Sequence, residues 1–220
     1  MKSKSMNNLI GAGCAIAIAG ITLAGTVFAQ QSKDNSTEAA TSKAVSSNAK
    51  TAIFAGGCFW CIESDFEKLD GVYEAESGYT GGSAETADYK TVTYNETGHY
   101  EAVEVSYNPD KVSYSELVEY FWKHIDPTDP RGQFCDKGSS YRSGIFYGNE
   151  EERLIVEKSL ANLEKTKPFD GDIVTAISAA QPFYSAETYH QDYYKKNPVR
   201  YRLYRSGCGR DKRVEQLWGK

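Results

Sequence analysis

Apolar residues recur along this chain with two periods. The run Ala52-Ile53-Phe54-Ala55 predicts a short strand, and Phe59, Ile62, Phe66 and Leu69 follow at the spacing of one helical stripe. Residues 71–79 alternate like a strand and stop at Thr80-Gly81-Gly82; residues 100–107 alternate again before Asn108-Pro109. Ser113-Tyr114-Ser115-Glu116 is a capping box, and the helix it opens buries Leu117, Phe121, Trp122 and Ile125. The turn-rich segment 126–132 must end that helix, and residues 133–141 read as a loop. A short strand is expected over 143–147. Asn149 followed by three glutamates then opens a helix that Lys165, Lys167 and Pro168 close. Residues 172–178 read as a buried strand and 185–196 as a short helix before a polar, irregular C-terminal tail. Sheet and helices in this order suggest an α+β two-layer domain of the split βαβ type with extra helices.

The first strand and helix meet at Gly56-Gly57-Cys58-Phe59-Trp60-Cys61. Two glycines let the backbone bend sharply, and they set Cys58 at the head of the helix, where unpaired N–H groups and the dipole favour an anion. The expectation is a Cys58 that is partly thiolate at neutral pH, against the plainer reading of a small buried thiol. In the strand 100–107, Glu101, Val103, Val105 and Tyr107 share one side. If the valines face the core, so does Glu101, whose carboxyl then keeps its proton and can serve as a general acid. Glu104, on the opposite side, should be a solvated acid. A thiolate facing a neutral acid suits methionine sulfoxide: protonating the S=O oxygen makes sulfur electrophilic, thiolate attack leaves a sulfenic acid, and a second thiol condenses with it to a disulfide.

The ends of the chain change the picture. Residues 1–29 carry two lysines, no acid, an uncharged run from residue 9 and the small residues Val27 and Ala29 before Gln30, which together read as a secretory signal peptide; an uncleaved membrane anchor is the alternative. Cys14 lies within that run and has no chemical role. Residues 30–49 form a flexible polar linker, and 50–220 the folded catalytic domain. The protein is therefore expected to be exported, periplasmic or otherwise extracytoplasmic. A net charge of −5 without a basic tract excludes nucleic acid as a partner. The 16 tyrosines suit either a Tyr-lined cleft or ordinary packing. His99 and His190 read as hydrogen-bonding scaffold and His124 as a helix-end residue, since none has metal-ligand spacing.

Four blocks in order, Gly57-Cys58-Phe59-Trp60, the span 89–105 ending in Gly98-His99-Tyr100-Glu101-Ala102-Val103-Glu104-Val105, Asp136-Lys137-Gly138-Ser139-Ser140-Tyr141-Arg142-Ser143 and Tyr189-His190-Gln191-Asp192-Tyr193-Tyr194, resemble the peptide methionine sulfoxide reductase A family over about residues 51–217. The resemblance implies a ferredoxin-like α+β fold, no bound cofactor and a thioredoxin-like dithiol reductant. It implies reduction of the S epimer of methionine sulfoxide, free or in oxidised proteins. Cys58 would be the nucleophile, Phe59 and Trp60 the pocket for the ε-methyl group, Glu101 the acid aided by Tyr89 and Tyr141, and Asp136 the polar wall. Each has a plainer role as core aromatic, loop residue or turn-former.

One departure matters. Cys61 stands where the family often has glycine, which creates Cys58-x-x-Cys61. The resolving thiol is then Cys208, flanked by Gly207 and Gly209, or Cys61, one helical turn from Cys58; the flexible glycines favour Cys208. Cys135 is a third candidate that reads first as an idle thiol. Two other classes compete: a thioredoxin-like disulfide oxidoreductase built on the CxxC turn, and a zinc-binding module using Cys58, Cys61, Cys135 and Cys208, although the last two lack the close pairing of structural zinc sites.

Overall fold

The computed structural model describes residues 47–219; the expected signal segment and nearly all of the linker lie outside the described residues. Strand β1 (Lys50–Gly56) runs into helix α1 (Phe59–Phe66), followed by β2 (Val72–Thr80), α2 (Tyr89–Tyr94), β3 (Tyr100–Tyr107) and α3 (Tyr114–Trp122). A hairpin of β4 (Gly132–Gln133) and β5 (Asp136–Lys137) precedes β6 (Ser143–Tyr147), α4 (Glu150–Thr166), β7 (Ala176–Ala179) and β8 (Phe183–Ser185). Three helices end the chain: α5 (Tyr193–Lys196), α6 (Pro198–Gly207) and α7 (Arg210–Trp218).

The main sheet has six strands in the order β7-β6-β1-β3-β2-β8. Strand β1 is central and antiparallel to both β3 and β6, and β2 is antiparallel to β3. Burial on both faces follows from its sequence: Ala52 and Phe54 join the main core, while Ile53 and Ala55 pack with Ala102 and Phe146 on the other face. Helices α1, α3 and α4 cover the main-core face through Phe59, Ile62, Phe66, Leu117, Phe121 and Val156. The helix starts are those the sequence signals: Ser113 and Glu116 form both bonds of the capping box, and Asn149 accepts from the Glu152 N–H. The architecture is α+β.

Several elements depart from expectation. Helix α2 buries only Val92, so no apolar stripe announced it; the Asp88 carboxylate capping the Thr91 N–H holds its start. The strand expected over 172–178 is the four-residue β7, half-buried or exposed at the edge and parallel to β6. Most of 185–196 is not helix. There the Gln191 side-chain amide accepts from Ser77 N–H and donates to Ser77 C=O, so a side chain replaces a strand partner. The C-terminal tail is not irregular either: α6 and α7 bury only Tyr201, Arg210 and Leu217, too few apolar positions to show a period. Glu104 is half-buried beside Glu76 rather than fully solvated, and burial raises its pKa.

Candidate active site

Gly57 makes the turn between β1 and α1 at φ 82°, and a Cβ there would stand 2.5 Å from the Gln133 side chain. Gln133 is itself fixed, accepting from the Asp126 N–H and donating to the Asp126 carbonyl. Cys58 is therefore the N-cap of α1, as its sequence position predicts. The first helical N–H, that of Phe59, donates not to the cap but to Glu101 Oε2 at 3.2 Å.

The alternation of β3 holds: Glu101, Val103, Val105 and Tyr107 are all buried. Burial raises the Glu101 carboxyl to about 8, with the Asp136 charge adding and the bonds from Phe59 N–H and Tyr141 opposing. Cys58, Phe59, Trp60, Tyr89, Glu101, Asp136 and Tyr141 line one cavity of about 70 Å³, whose lining Tyr204 completes. Phe59 packs against Tyr89 and His190. Trp60 stacks on Tyr193 with centroids 3.8 Å apart, and its indole N–H donates to His190 Nδ1. Burial lowers the pKa of the His190 imidazole, with the Glu187 charge opposing. His99 is likewise held, accepting from Gly82 N–H and bonding Ser83 C=O.

The partly ionised Cys58 expected from the helix terminus requires correction. Burial pushes its thiol well up, and Cys61 and Glu101 add to the rise, because an anion there would lie dry beside acidic neighbours. Cys61 takes the easier ionisation: its pKa is lowered to about 7 by the hydrogen bond from the Cys58 thiol and by Arg210 and Arg205. The pair thus loses a first proton near neutrality and holds the second between two sulfurs, so moving that proton from Cys58 to Cys61 exposes a thiolate on Cys58.

Cys135 and Cys208 are joined in a disulfide, which corrects the reading of Cys135 as idle and removes both as thiolate ligands for zinc. Cys58 and Cys61 remain free and buried. Two residues without any sequence signal complete the site. The Tyr204 hydroxyl donates to Asp136 Oδ2 at 2.6 Å and hydrogen-bonds the Cys58 thiol. Arg210, buried over the Phe134 ring, donates to the carbonyls of Gly56 and His124 and so ties α7 to the turn before Cys58. A wider groove of about 590 Å³ beside Asp65, Tyr120 and Arg205 is lined largely by charged side chains and contains no thiol.

A thiol pair at a helix head, facing a carboxyl that keeps its proton across a small aromatic cavity, defines a thiol-dependent oxidoreductase. The chain belongs to the peptide methionine sulfoxide reductase family, whose model matches residues 50–220. It is 49% identical over 169 residues to peptide methionine sulfoxide reductase MsrA of Bacillus licheniformis, covering 77% of this chain and 93% of that one. To the MsrA of Bacillus subtilis it is 47% identical, over 80% of this chain and 99% of the relative. Among solved structures it is similar to Mxr1 from Saccharomyces cerevisiae in reduced form, at TM-score 0.64 and 33% identity over 68% of this chain and 86% of that one. Methionine sulfoxide reductase A of Corynebacterium diphtheriae matches at TM-score 0.63 and 32% identity, over 70% of this chain and 77% of that one. Thiol-dependent reduction of methionine sulfoxide is the activity of this oxidoreductase.

Proposed function

We propose that the chain reduces the S epimer of methionine sulfoxide, free or within oxidised proteins, by the residues that line the 70 Å³ cavity. Phe59 and Trp60 receive the ε-methyl group, and the sulfoxide oxygen lies toward Glu101, Tyr89 and Tyr141. Glu101 donates its proton to that oxygen as the Cys58 sulfur attacks; the oxygen passes to Cys58, leaving cysteine sulfenic acid and methionine. Asp136, whose pKa burial raises, holds the polar wall with Tyr204. A second thiol of the chain condenses with the sulfenic acid, releasing water and forming a disulfide. A thioredoxin-like dithiol then reduces the protein, and no bound cofactor is needed because thiols carry the electrons.

Supporting this reading is a buried acid with a pKa of about 8 lining the same cavity as a nucleophilic sulfur. The strand order β6-β1-β3-β2, all antiparallel, supports a ferredoxin-like core within the larger sheet. The N-terminal sequence supports export, so that the substrates are proteins outside the cytoplasm; among the described residues no helix is long and apolar enough to cross a membrane. The test is turnover of the separated S and R sulfoxide epimers with dithiothreitol, followed by chromatography of the methionine formed. Methionine should arise from the S epimer alone and not with Cys58→Ser. Equal turnover of both epimers, or an active Cys58→Ser protein, would sink the proposal.

A further inference from the structure

Beside the apolar stripe of α1 runs a second one. Trp60, Glu63 and Glu67 stand at i, i+3 and i+7, and all three grip the same segment, residues 190–195. The Trp60 indole donates to His190 Nδ1 and stacks on Tyr193. One turn on, Glu63 Oε1 accepts the Asp192 N–H at 2.6 Å. Glu67 accepts the Tyr194 hydroxyl and pairs with Lys195. Between β8 and α6 only Ala186 and Tyr193 are buried apolar side chains, so polar contacts do much of the holding there.

Glu63 is 1% exposed and lies at the centre of these contacts. Its second oxygen, Oε2, accepts the hydroxyl of Ser77, which is fully buried on β2. Ser77 is also where β2 loses β8 as a partner. Gly78 still pairs with Ser185, whereas the Ser77 main chain bonds the Gln191 side-chain amide through both its N–H and its carbonyl. The Glu63 carboxyl therefore closes a ring of contacts that runs from α1 through β2 to Gln191 and Asp192. Asp192 turns the chain at φ 53°, a left-handed conformation that side chains seldom adopt, and the bond to Glu63 fixes it. The rings on either side of this turn, His190 and Tyr193, lie against Trp60 with centroids 5.6 and 3.8 Å away, and His190 also lies 5.0 Å from Phe59.

We infer, on the function given above, that Glu63 is a positioning residue: it latches segment 190–193 onto α1, and the latch sets the width of the pocket at Phe59 and Trp60 and so its selectivity for S-methyl over larger S-alkyl sulfoxides. Glu63 acts through other residues, since it does not line the cavity itself. Without its carboxyl, the Asp192 N–H and the Ser77 hydroxyl are left buried with no acceptor. The turn then relaxes, Tyr193 slides from Trp60, and the pocket gains room for a further methylene. Glutamine keeps both contacts, its amide oxygen accepting from Asp192 N–H and its amide nitrogen donating to Ser77 Oγ.

The test compares kcat/KM for the S epimers of methionine sulfoxide and ethionine sulfoxide, which differ by one methylene on the alkyl group, with dithiothreitol as reductant. A close-fitting apolar pocket separates such a pair by about 10- to 200-fold, and wild type should prefer the methyl substrate within that range. Glu63→Ala should raise KM for methionine sulfoxide by about tenfold, keep kcat within about threefold, and cut the preference to about fivefold or less. Gln191→Ala, a change at a half-buried side chain, should shift both readings the same way and serves if Glu63→Ala does not fold. Glu63→Gln should restore the wild-type preference. A merely structural role would lower the active fraction for both substrates alike and leave KM and the preference intact. An unchanged preference in Gln191→Ala or in folded Glu63→Ala, a Glu63→Gln protein as permissive as Glu63→Ala, or a wild type that turns over both substrates equally overturns the latch. Failure of wild type to reduce methionine S-sulfoxide at all overturns the proposed function instead.

Discussion

The backbone N–H of Phe59 donates to the Glu101 carboxyl at 3.2 Å, so the head of α1, which Cys58 caps, and the β3 acid are fixed against each other on one cavity. Burial still outweighs that bond and holds Glu101 at about 8. The acid must keep its proton, which it does below about 8, and the thiol pair must lose one, which it does above about 7. Activity should therefore trace a bell with its maximum between those values, read as kcat/KM against pH.

Glu101→Gln should remove the alkaline limb of that bell and lower kcat by about 10²- to 10⁴-fold, the usual contribution of a positioned acid. A variant with an unchanged profile would assign the acid role elsewhere.

Tyr204→Phe removes the hydroxyl that bonds both Asp136 and Cys58 while keeping the ring that lies edge-on to Trp60. The expected loss is about tenfold in kcat/KM, the value of one hydrogen bond of roughly 1.4 kcal/mol, with the thermal midpoint little changed.

Stability should fall with rising pH. Burial raises Glu63 from 4.5 to about 7 and Glu101 from 4.5 to about 8, so the folded state binds both protons more tightly than the unfolded chain. Their contribution is complete below about 4.5 and is lost as pH climbs through 7 and 8. At roughly 1.4 kcal/mol per unit, Glu63 alone accounts for about 3 kcal/mol over that range. Urea unfolding at pH 5 and pH 9 measures the difference, and Glu63→Gln should shrink it while leaving the part due to Glu101.

Arg210→Met should destabilise the domain by about 3 kcal/mol, because the Gly56 and His124 carbonyls lose their donor and Asp65 keeps a buried charge with one partner fewer. Arg210→Lys should recover little of this, as an ammonium cannot span both carbonyls from one planar fork. Denaturant midpoints of the two variants decide it.

Local signals made much of the fold legible. The Ser113 and Asn149 caps, the α1 stripe and the alternation of β3 depend only on nearby residues, and each lies where the pattern put it. Helices α6 and α7 escaped because a mostly polar helix leaves no period; what holds them is distant, in Arg210 on the β1 carbonyl and Tyr204 on Asp136. Tyrosine abundance hinted at a phenol-lined cleft, but Tyr79, Tyr107 and Tyr114 serve the core while Tyr89, Tyr141 and Tyr204 line the cavity.

By itself the sequence determined the seats of the proposed nucleophile and acid, since a Gly-Gly turn sets Cys58 at a helix head and strand parity turns Glu101 inward. Only the tertiary structure decided which thiols are partners and which sulfur ionises. Cys135 and Cys208 stand 73 residues apart and meet through the packing of a hairpin against a helix junction. The charge of the buried pair depends on how much water burial removes and on where Arg205 and Arg210 arrive, and both are set by folding rather than by neighbours in the chain.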